Sequence, residues 1–223
     1  MLDFNKRGYV MFDLDGTVSD SKQGIFGGVI YAMNRLHMEI PGEDVLRKFI
    51  GPSIGATFKS LYGFTQEQAD EATAIYREYY GSRGYLECSL YPGMRELLDK
   101  LHAQGKKVAL ATKKPQDFTD RIMESFGLDR VFDVVEGSSL DDKSEYKGYV
   151  LEKVIARFGM ENDKQNVVMV GDSKYDVIAA NMAGVDCIGE AYGYGDVGEM
   201  TAEGAALIVR DMDELTQVLA GEK

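Results

Sequence analysis

The sequence predicts an α/β fold, a Rossmann-like parallel sheet core with helices on both faces, plus an inserted all-helical cap domain. Three observations predict it. Short runs that are apolar throughout recur along the chain, most of them closing on Gly or a small polar residue. Helix-spaced apolar stripes lie between those runs. Between Thr17 and Leu90 there are helical stripes and no convincing strand. Strands without polar alternation suit a sheet covered on both faces. Strand–helix alternation implies parallel strands joined by right-handed crossovers.

Taken in order, Tyr9–Phe12 (YVMF) reads as the first buried strand and ends in Asp-Leu-Asp-Gly-Thr. Ile25, Val29, Ala32, Met33 and Leu36 then form an amphipathic face, with Asp20-Ser21 as its N-cap. Ala69, Ala72, Ile75, Tyr76 and Tyr79 form a second face. Met94, Leu97, Leu98 and Leu101 mark a helix after Pro92-Gly93. Lys107–Ala111 (KVALA) is a strand ending at Thr112, and Pro115 suits the first position of the next helix, striped by Phe118, Ile122 and Phe126. Val131–Val135 is a weaker strand. Val150, Leu151, Val154, Ile155 and Phe158 form a helix stopped by Gly159. Asn166–Val170 (NVVMV) is a strong strand ending in Gly171-Asp172, followed by a shorter helix stopped by Gly184. Val185–Ile188 and Leu207–Val209 complete the strands. The expected domains are residues 1–18 with 91–223 as the core and 19–90 as the helical insertion.

Composition narrows the function. The chain has 223 residues, with 44% hydrophobic and 28% charged, ordinary for a globular protein. Lys plus Arg number 25 against 37 Asp plus Glu, a net charge of -12. Such a surface repels nucleic-acid backbones and anionic lipid, so neither is an expected partner. An anionic substrate must be drawn in by a local device. The cysteines, Cys88 and Cys187, are expected to be reduced thiols. The first residues lack a signal-peptide pattern, and no apolar run reaches the roughly 18 residues of a membrane span. The expected location is cytoplasmic.

The chemistry lies at strand ends, where ligands bind in open α/β sheets. Asp13 and Asp15 close the first strand, Thr112 another, and Asp172 a third, with Asp176 four residues on. Four carboxylates brought together repel by roughly 1–4 kcal/mol per pair at about 4 Å, so the cluster needs a cation. Oxygen ligands without a nearby His point to Mg²⁺; His37 and His102 fall within helical patterns. A carboxylate beside such an ion can attack phosphorus, and a second carboxylic acid can protonate the leaving oxygen and then activate water. Thr112 offers a hydroxyl, the N–H groups after it lie near a helix start, and a lysine can balance the phosphoryl charge.

Asp13-Leu-Asp-Gly-Thr17, Thr112, a lysine near the next helix and Gly171-Asp172-Ser-Lys-Tyr-Asp176 resemble, in order, the four motifs of the haloacid dehalogenase-like hydrolase superfamily. The helical insertion after the first motif resembles that family's C1-type cap. The resemblance implies Asp13 as nucleophile and Asp15 as general acid/base. It implies Thr112 and Lys147 at the phosphate, and Mg²⁺ held by Asp13, the Asp15 backbone carbonyl and Asp172 with Asp176 in support. Gly16, Thr17 and Lys113 join Thr112 and Lys147 as expected substrate-contacting positions. Lys143 is the alternative to Lys147 for the third motif. Lys147 is preferred because the apolar stripe starts three residues after it. Lys113 stands where many members carry Asn or Ser.

Asp15 argues against dehalogenation, which has no leaving alkoxide to protonate. Phe49-Ile-Gly-Pro-Ser53 and Tyr192-Gly-Tyr-Gly195 resemble the phosphoglycolate phosphatase-like branch and its 5′-nucleotidase-like relatives. The expectation is a Mg²⁺-dependent phosphatase of a small phosphorylated metabolite, acting as a monomer or homodimer. The alternatives are a nucleoside monophosphate as substrate, or a phosphomutase like β-phosphoglucomutase.

Overall fold

The computed structural model describes residues 3–139 and 147–221; Lys143 lies outside them. Along the chain, β1 (Tyr9–Phe12) and the two-residue β2 (Ser19–Asp20) precede the helices α1 (Lys22–Arg35), α2 (Glu43–Leu46), α3 (Ile54–Tyr62) and α4 (Gln66–Ser82). The short strand β3 (Ser89–Leu90) then leads into α5 (Met94–Ala103), β4 (Lys107–Pro115), α6 (Gln116–Phe126) and β5 (Val134–Ser138). Next come α7 (Gly148–Phe158), β6 (Val167–Gly171), α8 (Lys174–Ala183) and β7 (Asp186–Glu190). The chain finishes with α9 (Val197–Ala202), β8 (Leu207–Val209) and α10 (Met212–Ala220). Asp20–Ser89 form one compact unit and the rest of the described chain another.

The larger unit is built on a six-stranded sheet in the order β5-β4-β1-β6-β7-β8, with every neighbouring pair parallel. Its strands lack polar alternation because both faces are buried. Met11, Ala109, Val167 and Met169 pack on one face with Val150, Leu151 and Val154 of α7 and Val177 and Ala180 of α8. The alternate residues Val10, Phe12, Val108, Leu110, Val168 and Val170 are fully buried as well. The strand order reverses at β1. The chain moves outward through β4 and β5, then crosses to β6 on the other side. The carboxyl ends of β1, β4 and β6 therefore meet at a topological switch point, where such sheets bind ligands.

The smaller unit is helical apart from its ribbon ends. α4 starts with a capping box, in which Thr65 and Gln68 satisfy each other's backbone donors. α1 packs on α4 through Gly28, where an added Cβ would run into the Tyr76 ring. Phe49, Phe58 and Phe64 form its aromatic centre.

Local differences from expectation have physical causes. The strand expected at Val131–Val135 is shifted to Val134–Ser138, because β4 fixes the register by pairing Ala109 with Val134. Pro115 is not the first helical residue. Its ψ of 138° is extended, it closes β4, and α6 starts at Gln116. Ser21 occupies the N-cap position of α1, but Asp20 Oδ1 accepts the Lys22 N–H at 3.1 Å while the Ser21 hydroxyl makes no capping bond. The residues after Thr112 remain in the strand, with a register shift between Ala111 and Pro115, rather than entering a helix.

Candidate active site

Asp13 follows β1 directly, and its N–H donates to Val170 O at 3.0 Å, extending the sheet by one residue. The chain then turns tightly, with Leu14 O accepting from Val18 and Ser19 at 3.0 and 2.9 Å. Gly16 has φ +89°, which favours glycine, and a Cβ there would overlap the Asp172 carboxylate. This turn aims Asp13 and Asp15 in different directions, toward different cations.

Lys147, just before α7, lies 2.6 Å from Asp13 Oδ1 and 2.5 Å from Asp176 Oδ1. Asp176 is fully buried, and its Oδ2 accepts from the Ser173 N–H and hydroxyl at 3.1 and 2.7 Å. It thus closes the capping box of α8 while pairing with Lys147. Asp172 stands at the end of β6 and accepts the Tyr194 N–H on Oδ2 at 2.8 Å. Asp13, Asp172 and Asp176 each present an oxygen within 4.8 Å of the others.

Among the described residues, these three buried carboxylates have one ammonium near them, that of Lys147, which pairs directly with Asp13 and Asp176. Burial, and then the neighbouring Asp176, push the Asp13 acid up to about 6 although Lys147 opposes them. Burial and the charges of Asp176 and Asp13 push Asp172 well above the usual carboxylate range. Burial works against the charge on Lys147, yet Asp13 and Asp176 together hold its pKa above the ordinary value. The lysine has two partners and each acid only a share of it, so Lys147 is the secure charge and the acids carry the deficit. A hard divalent cation fits that deficit and the all-oxygen donor set.

The side chain of Asp15 stands apart from that cluster. Its Oδ2 pairs with Lys114 Nζ at 3.0 Å, and its Oδ1 is buried and accepts no hydrogen bond from the described residues. Thr112 is buried, and its hydroxyl accepts the Lys114 N–H at 3.2 Å. Lys113 is turned instead to α7, its ammonium 5.1 Å from the centre of the Tyr149 ring. The Thr17 hydroxyl faces Glu190 Oε1 at 3.5 Å, and Gly16 N–H donates to Ser19 O at 2.9 Å.

Two residues of this neighbourhood escape sequence reasoning. Lys114 looks like half of a surface Lys-Lys pair, yet a strand extended past Thr112 would have put positions 112 and 114 on one face. Glu190 closes β7 and is almost fully buried. Burial, and then the nearby Asp172 charge, push it up to about 9. An acidic residue two positions after the Val185–Ile188 run was its one visible signal.

Comparison with known proteins points to one family. Residues 10–189 match the haloacid dehalogenase-like hydrolase family profile. A 5′-nucleotidase of Pseudomonas aeruginosa is 35% identical over 210 residues, covering 94% of each chain. A Mycobacterium tuberculosis protein named tyrosine-protein kinase PtkA is 33% identical, over 94% of this chain and 72% of that one. A phosphoglycolate phosphatase of Vibrio parahaemolyticus is 28% identical over 95% of both. The crystal structure of a predicted phosphatase from Clostridium acetobutylicum superposes with a TM-score of 0.88 at 37% identity, covering 94% of this chain and 96% of that one.

Proposed function

The chain belongs to the haloacid dehalogenase-like hydrolase family, and from that membership we propose that it is a Mg²⁺-dependent phosphatase of small phosphomonoesters. The observation that carries the reading is the division of labour at the first turn. Asp13 is paired with Lys147 beside two further buried carboxylates, while Asp15 is paired with Lys114 and keeps one oxygen without a donor among the described residues.

On this reading the Asp13 carboxylate attacks phosphorus. A new O–P bond forms, the ester O–P bond breaks, and an aspartyl-phosphate results. Asp15, protonated on Oδ1, gives its proton to the departing oxygen. It then takes a proton from the water that attacks the aspartyl-phosphate, releasing phosphate and restoring both acids. Lys147 and Thr112 are assigned to the phosphoryl oxygens. Asp13, Asp172, Asp176 and the Asp15 carbonyl are the residues that would hold Mg²⁺. When bound, the ion neutralises charge on the phosphoryl group. The helical unit has the place in the chain of a C1-type cap, and leaving-group choice is assigned to it.

Two substrates come first from the names of relatives, a nucleoside 5′-monophosphate and phosphoglycolate. The test is phosphate release from a panel containing both, with hexose phosphates, in Mg²⁺ and in EDTA. Metal-dependent release that Asp13→Asn lowers by at least about a thousandfold supports the mechanism. Full activity of Asp13→Asn overturns it. Transfer from ATP to tyrosine without phosphate release would point instead to the reaction in the mycobacterial relative's name.

A further inference from the structure

Glu190 is not one of the three clustered carboxylates, yet it is joined to them by a short relay. Its Oε2 accepts the N–H groups of Tyr192 and Gly193 at 2.9 and 3.0 Å. Its other oxygen faces the Thr17 hydroxyl at 3.5 Å. Tyr192 returns to the same turn, donating from its hydroxyl to Thr17 O at 3.2 Å, with its ring edge-on to Tyr91 at 4.9 Å. The backbone held in this way passes directly over Asp172. Tyr194 N–H donates to Asp172 Oδ2 at 2.8 Å. A Cβ on Gly193 would stand 2.6 Å from Gly16 O and 2.7 Å from Asp172 Oδ2, so only glycine lets the loop come this close.

We propose that Glu190 is a positioning residue for the cation site: it fixes the Tyr192–Tyr194 loop, and the loop's amide sets the orientation of Asp172. The inference rests on the proposed role of Asp172 in holding Mg²⁺. A carboxylate with one oxygen committed to a backbone donor presents the other to an ion. Outer partners of this kind typically alter metal affinity about 10- to 100-fold when removed. Glu190 also ties the loop to the turn that carries Asp15, so one buried side chain bonds both segments. A glutamine can keep both links, its amide oxygen accepting from Tyr192 and Gly193 and its amide nitrogen meeting the Thr17 hydroxyl with donor and acceptor exchanged.

Two measurements on the full chain test this, each with Glu190→Ala and Glu190→Gln. Hydrogen–deuterium exchange reads the Tyr192, Gly193 and Tyr194 amides in the absence of metal. Calorimetric titration reads Mg²⁺ binding without substrate. The expected result for Glu190→Ala is exchange at least tenfold faster at those amides and Mg²⁺ binding at least tenfold weaker. Glu190→Gln should stay within about threefold of the parent in both. Unchanged exchange in Glu190→Ala overturns the proposal, as does faster exchange with unchanged Mg²⁺ affinity, which would leave Glu190 a merely structural residue. A glutamine variant as impaired as the alanine one also overturns it. If the parent binds no Mg²⁺, the cation reading of the cluster fails, and Glu190 as a cation-site residue fails with it. The exchange data then show separately whether it holds the loop. Should Glu190→Ala fail to fold, Glu190→Asp, which keeps the acid but withdraws it by one methylene, carries the same test.

Discussion

Asp13 and Asp15 are two residues apart on one turn, and the protein gives each its own lysine. Lys147 serves Asp13 from the start of α7, and Lys114 serves Asp15 from the end of β4. In the proposed mechanism the two acids have opposite tasks, one to be a bare nucleophile and the other to carry a proton; both lysines favour the charged carboxylate, so the proton of Asp15 belongs on Oδ1 rather than on the Oδ2 that pairs with Lys114. The proton role makes a specific prediction. Asp15→Asn should slow alkyl phosphates by about a hundredfold or more, within the usual range for general acid catalysis. Against p-nitrophenyl phosphate, whose leaving oxygen departs without a proton, the first step should be nearly unchanged and a burst of p-nitrophenol should appear before slow turnover. Equal losses on both substrates, with no burst, would count against Asp15 as the acid. Lys147→Ala should act differently: it removes the ammonium that pairs with Asp13 and Asp176, so the metal-free protein should melt earlier than the parent while Mg²⁺ raises its melting point by more than it raises the parent's. A melting point equally low with and without Mg²⁺ would show that the ion does not relieve this cluster.

At the scale of elements, the start of α8 joins stability to chemistry. Ser173 and Asp176 form its capping box, and the same Asp176 faces Lys147. Ser173→Ala should cost about 1 kcal/mol of stability, read by urea unfolding. It should also lower activity, because Asp176 loses the hydroxyl that holds Oδ2. A stability loss without any change in activity would separate the cap from the site. The same region shows what a sequence makes legible. β1, β6 and Asp172 stood out because a continuous apolar run ending in Asp has few other readings, and the order of the motifs was readable for the same reason. The i, i+4 spacing of Asp172 and Asp176 was visible too, but the helix starts only at Lys174, so Asp172 lies before it and Asp176 inside its first turn. Lys114 was hidden because its role depends on β4 running on to Pro115, which a Pro after two lysines does not advertise. Glu190 was hidden for a deeper reason. Its partners are backbone amides two and three residues on and a hydroxyl 173 positions away, and loop backbone leaves no pattern in side chains.

At the scale of the whole molecule, the net charge of -12 and the buried acids bear on how stability changes with pH. Glu190 is the informative group, because it stands outside the proposed ligand set and its acid is pushed from the ordinary 4.5 up to about 9. Between those values the folded protein keeps a proton that the unfolded chain has released. Folding therefore loses stability as pH rises through that window, at about 1.4 kcal/mol per pH unit for one proton. Below about 4.5 both states hold the proton, and above about 9 neither does, so the contribution is flat outside the window. Glu190→Gln removes this titration and keeps the hydrogen bonds, while the general repulsion of the acidic surface stays common to both proteins and cancels in the comparison. Unfolding free energies measured in EDTA at pH 5, 6.5 and 8 should thus fall more steeply for the parent than for the variant, with Glu190→Gln the more stable of the two at pH 8. Parallel slopes would mean that the carboxyl ionises normally in the folded protein, with water or a cation reaching a side chain that the packing of the Tyr192 loop otherwise encloses.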